Sequence, residues 1–97
     1  ACIADVSCWA KRYLFEASGV CSEAIEQHAR IDHRWEASRT DRFTSAIIHN
    51  NGQQISFLGD ALKMQNGFGA WIPHSYTCRY DIGSKAVVNV EVSEGRL

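Results

Sequence analysis

The chain has 97 residues, 45% hydrophobic and 22% charged, with a formal net charge of -1. That length supports one domain, which buries roughly 60–68% of the surface its unfolded chain exposes, and the apolar fraction excludes a disordered chain. Near-neutrality gives no electrostatic reason to expect nucleic acid as a partner. No run approaches the roughly eighteen apolar residues of a membrane span.

The first third of the chain reads as helical. Val6, Trp9, Tyr13 and Leu14 recur at helical spacing over Val6–Ala17. Ser18-Gly19 then predicts an interruption, because glycine commonly stands just past a helix end. A second helix is expected from about Val20 to Arg30, with Cys21, Ala24, Ile25, His28 and Ala29 inward and Arg30 suited to the helix dipole.

Past Asp32 the periodicity changes. His33–Ser38 is short and mixed, a first strand or an extended loop. Phe43–His49 reads as a strand, and Asn50-Asn51-Gly52 predicts a hairpin with a type I′ turn. Gln54–Leu58 follows with Ile55 and Phe57 on one face, and Gly59 marks a bulge where the strand bends on toward Met64. After a loop at Gln65–Gly69, Trp71–Tyr80 alternates, with Tyr76, Cys78 and Tyr80 on one side and Thr77 and Arg79 on the other. Pro73 cannot donate a ladder hydrogen bond, so that segment is expected to start on an edge or at a bulge. Asp81–Ser84 is a turn, and Ala86–Val92 closes the domain, with Val88, Val90 and Val92 on one face and Asn89 and Glu91 opposite. Helices before strands joined by tight turns predict an α+β domain. A helical part at about 6–30 covers one face of an antiparallel sheet of four strands, five with His33–Ser38, in a strand-rich part at about 33–92.

Cys2, Cys8, Cys21 and Cys78 make an even count in a short chain, which favours disulfides in an exported protein. Three connectivities are open. A link from Cys21 to Cys78 would close a loop of nearly sixty residues and stabilise by about 4 kcal/mol in the chain-entropy model.

Chemistry-bearing constellations are scarce. His28, His33, His49 and His74 do not combine with the cysteines at zinc-ligand spacing, so no metal or other cofactor is expected. A thiolate at Cys21 or Cys78 would need an adjacent histidine and an oxyanion hole, and disulfide pairing would abolish it. No pair of carboxylates is spaced for glycoside chemistry, and Gly67-Phe68-Gly69 lacks the length and lysine of a phosphate loop. Asp32-His33-Arg34 with Arg39, Asp41 and Arg42 nearly cancels in charge and reads as a solvated face.

The most unusual segment is Gln65-Asn66-Gly67-Phe68-Gly69-Ala70-Trp71. Its glycines permit positive φ or close backbone approach. Phe68 and Trp71 would either fold back as a plug on the core, the more ordinary outcome, or form an aromatic-tipped loop that meets a ligand or partner. In the second case Gln65 and Asn66 supply polar contacts.

The stretch Leu58–Trp71 also resembles a pattern in short, functionally uncharacterised proteins of Gram-negative bacteria, exported or envelope-associated. There a strand ending in Gln-Asn leads to a small-Phe-Gly-Ala turn. The following strand ends aromatic-Thr-Cys, here Tyr76-Thr77-Cys78, and a cysteine stands early in a preceding helix, here Cys21. The similarity covers roughly Val20 to Val92 and leaves Cys2 and Cys8 outside it; the large Trp71 departs from the commoner pattern. It implies a periplasmic or secreted location and a Cys21–Cys78 pairing, and it implies no activity.

The expected function is therefore a non-enzymatic binding module, monomeric, whose partner is a protein or envelope component. The alternatives are an inhibitor or immunity-type protein that blocks a toxin or hydrolase, and a Cys/His-dependent enzyme.

Overall fold

The computed structural model describes residues 6–29, 31–38 and 41–95. Helix α1 (Val6–Glu26) is followed by β1 (His33–Trp35), β2 (Ser45–His49), β3 (Gln54–Gln65), β4 (Trp71–Asp81) and β5 (Ala86–Glu94). All pairings are antiparallel. The order is β1-β3-β4-β5, and β2 shares with β1 the same side of β3. The expected α+β architecture holds, with one α-helix in place of two and five strands among the described residues.

The helix does not break at Ser18-Gly19. Ser18 is buried, and a Cβ added at Gly19 would meet nothing within 4 Å. A mid-helix glycine costs about 1 kcal/mol, which tertiary packing overrides. Ala17, Cys21 and Ile25 form the buried stripe, with Trp9, Ala10, Tyr13 and Leu14 packed beside it. The helix ends at Glu26, so His28, expected to face inward, is exposed. Arg30 and Cys2 lie outside the described residues.

The inner sheet face supplies Ile55, Phe57, Leu62, Met64, Tyr76, Cys78 and Tyr80 to the core, in the alternation expected for β3 and β4. Cys21 and Cys78, both fully buried, form a disulfide with Cα atoms 5.8 Å apart across a sequence separation of 57. Cys8 is also disulfide-bonded, and no described cysteine is free. Further bonds fasten the helix along its length. The Trp9 indole donates to Gly52 O (3.0 Å), the Tyr80 hydroxyl to Glu16 (3.1 Å), Arg42 to Ser22 Oγ (2.9 Å) and the Trp35 indole to Glu26 (2.7 Å).

Gly59 marks a register shift in β3, between Gly59 and Leu62, as expected. A Cβ there would collide with Arg42 O and with the Tyr76 hydroxyl at 2.8 Å. That hydroxyl accepts from Ala61 N–H (3.1 Å) and donates to Arg42 O. Burial pushes the Tyr76 phenol above its ordinary pKa.

Two local expectations are corrected. Asn50-Asn51-Gly52 does reverse the chain, but His49 pairs with Gln54 across four residues, with positive φ at Asn50, Asn51 and Gly52. A two-residue type I′ turn would allow only two such residues. In β5 a register shift opposite Arg79/Tyr80 leaves Val88 50% exposed, while Val87, Val90 and Val92 pack inward. The bulge inverts the alternation that placed Val88 with Val90 and Val92. Pro73 lies in β4 past the last β5 pair, His74↔Glu94, where its carbonyl accepts from Gly95 N–H (2.8 Å). Its missing donor therefore faces the end of the β5 ladder.

Gly19→Ala is expected to raise stability by about 0.5–1 kcal/mol, as for any glycine in an open helix interior. Gly59→Ala should lower it by about 2 kcal/mol or more through overpacking against backbone. Denaturant midpoints of the two variants should move in opposite directions. A destabilised Gly19→Ala would mean that the helix ends there.

The Tyr80 phenol is pushed up to about 12 by burial first and then by Glu16. A raised folded pKa means stability fully present below the unfolded value near 10, then lost as pH rises toward about 12. Alkaline unfolding monitored by tyrosinate absorbance should begin in that window. Glu16→Gln should lower the Tyr80 transition.

Candidate functional site: the β3–β4 hairpin

Beyond Glu26 the helix no longer covers the sheet, while β3 and β4 run on as a hairpin to Gln65 and Trp71. Its tip is built by its own polar groups. Asn66 Oδ1 accepts from Phe68 N–H (2.9 Å) and Ala70 N–H (3.0 Å), and Gln65 Nε2 donates to Gly69 O (3.3 Å). Asn66 N–H donates to Ala70 O (2.9 Å), and Gly69 N–H to Asn66 O (3.0 Å). Gly69 takes φ +83°, which glycine adopts without penalty.

Phe68 is 98% exposed and does not plug the core. Trp71 is half-buried, and the Arg34 guanidinium lies 4.6 Å from its ring centroid. Such a contact is worth about 0.5–1 kcal/mol at an exposed site. Gln65 and Asn66, expected to offer polar contacts to a ligand, are partly spent holding the loop.

On the inner side of the hairpin a groove of about 490 Å³ opens. Its wall includes His28 and Ile31 after the helix, Met64 and Ile72 on the hairpin, and His74 and Glu94 across β4 and β5. Gln65 and Asn66 also line it; Phe68 and Trp71 do not. His74 Nδ1 lies 2.7 Å from Ile72 O, so that nitrogen carries the donated hydrogen. Sequence reasoning named Gln65 and Asn66 and missed the other groove residues. The period-2 pattern that aligned Tyr76, Cys78 and Tyr80 extends back through His74 and Ile72, but their meeting with His28 and Glu94 depends on register and on where the helix stops.

The other candidate chemistry is dispersed. His49 Nε2 bonds Ser56 Oγ (2.8 Å), and His33 Nε2 lies 3.5 Å from Glu26. Among the described residues no three His, Cys, Asp or Glu side chains converge as a metal site. Cys21 and Cys78 are bonded to each other, so neither offers a thiolate. No helix among the described residues is long and apolar enough to cross a membrane. Comparisons with family models, with characterised proteins and with solved structures return no match.

Asn66→Ala removes two acceptor bonds at the tip, each worth about 1 kcal/mol. Amide exchange at Phe68 and Ala70 should accelerate several-fold while the global unfolding midpoint moves little.

Proposed function

We propose that the protein is a non-enzymatic, disulfide-braced binding module, exported to an oxidising compartment of a bacterium, that captures a protein partner with the tip of its β3–β4 hairpin. The observation that carries this is Phe68. A large apolar side chain stands 98% exposed on a loop fixed by five internal hydrogen bonds. Folding gains nothing from exposing it. Burying it in a partner's pocket would contribute about 1.5–3 kcal/mol. Because the loop is ordered before contact, little further entropy is lost on binding. Such preorganised aromatic anchors suit the centre of a protein interface. The buried Cys21–Cys78 bridge favours an oxidising location. The resemblance of Gln65–Trp71 and Tyr76–Cys78 to envelope proteins points the same way.

Phe68→Ala should leave the melting temperature unchanged and lower partner affinity about tenfold or more. The check is quantitative crosslinking and capture from envelope extracts with matched wild-type and variant proteins. Equal capture of every partner by the folded variant would sink this reading.

A further inference from the structure

The groove on the inner side of the hairpin is a second feature that folding does not consume. It adjoins the tip through Gln65 and Asn66, but Phe68 does not line it. Its volume of about 490 Å³ falls within the range of small-ligand and side-chain pockets. The floor is apolar: Met64 is 7% exposed, Ile72 is half-buried, and Ile31 stands 59% exposed beside them. The polar wall is formed by His28, Gln65, Asn66, His74 and Glu94. Glu94 is the only formally charged side chain among the described lining residues. Its carboxylate makes no hydrogen bond or ion pair among the described residues. His74 is its cross-strand partner and shares its face. His74 donates through Nδ1 to Ile72 O, the tautomer in which Nε2 is the acceptor nitrogen. Gln65 has committed its Nε2 to Gly69 O, which leaves its Oε1 free to accept. The groove thus sets the Glu94 carboxylate and the His74 and Gln65 acceptors above an apolar floor, with His28 and the Asn66 amide at its edge.

We propose that this groove binds the arginine or lysine side chain of a protein partner, with the methylene stem on Met64 and Ile72 and the cationic head at Glu94 and His74. Ammonium and guanidinium groups are donors with no acceptor, the complement of this wall. Their stems cover apolar surface while the head stays polar. A carboxylate would meet Glu94 with like charge, and a purely apolar side chain would leave Glu94 without a counter-charge.

The test is an NMR titration of the full chain, reading the methyl signals of Ile31, Met64 and Ile72. The probes are Nα-acetyl-arginine amide, Nα-acetyl-norleucine amide and Nα-acetyl-glutamate amide. The arginine probe should bind at least about tenfold tighter than the norleucine probe, and the glutamate probe should not bind; such a ratio corresponds to about 1.4 kcal/mol. Glu94→Gln, a near-isosteric change on an exposed side chain, should remove that preference with no change in melting temperature. Phe68→Ala should leave arginine binding intact, which separates this site from the Phe68 anchor. Absence of methyl shifts with the arginine probe overturns the proposal. So does equal binding of the norleucine probe, or an undiminished arginine preference in Glu94→Gln. A tenfold gain in probe affinity in an Arg30→Gln/Arg96→Gln variant would make the occupant a guanidinium of this chain and would also overturn it.

Discussion

Strand β3 serves two short strands on one side, β2 along its first half and β1 along its second, and the exchange between them happens at the Gly59–Leu62 register shift. A bulge leaves backbone groups without ladder partners, and buried ones must be satisfied. Tyr76 does this from the neighbouring strand. Its hydroxyl takes the Ala61 N–H and gives its own hydrogen to Arg42 O, while its ring packs edge-on against Trp35 and Phe43. Gly59 is the space that lets these groups meet. The loop carrying Arg42 is held in turn, since Arg42 bonds Ser22 and lies 4.2 Å over the Trp35 ring. One phenol therefore joins bulge, loop and helix. The phase of β3 after the bulge, which turns Leu62 and Met64 inward, follows from it.

The helix is fastened to this sheet by chemically different links spread along its length: the Trp9 indole, Glu16, Cys21, Ser22 and Glu26. Only the disulfide is covalent. In the chain-entropy model a bridge of this span contributes about 4 kcal/mol, a large share of the stability of so small a domain. The polar links are worth about 1 kcal/mol each. They fix the helix in register on the sheet, and because it stops at Glu26 the hairpin and its groove stay uncovered.

Much of this was legible in the residues. Period-2 alternation placed Tyr76, Cys78 and Tyr80 on the buried face, and Gly59 announced its bulge. What misled was local chemistry taken without its tertiary context. Ser18-Gly19 looks like a helix end, but Ser18 is buried and Gly19 has open space, so the helix continues. The Val88 phase failed because the β5 shift has no glycine to mark it. At the site, the Gln65–Trp71 segment was singled out, yet Phe68 points to solvent and Asn66 is spent on its own backbone. The groove was invisible because His28, His74 and Glu94 are far apart in sequence and converge only through register.

The disulfide sits beneath the helix, whereas the hairpin extends past it. Opening events in the two regions are therefore uncoupled in cost. Separating β3 from β4 near Cys78 requires loss of the helix packing and the core, so amides there exchange through global unfolding. The segment from Lys63 to His74 is tied by β1, by Gln65 N–H to Asp32 O (3.0 Å) and by the tip's own bonds. It can fray and re-close while the core stays intact. A hydrogen-exchange profile would read this as a gradient of protection along β3. A load applied at the end of the hairpin is then absorbed locally and does not reach the core.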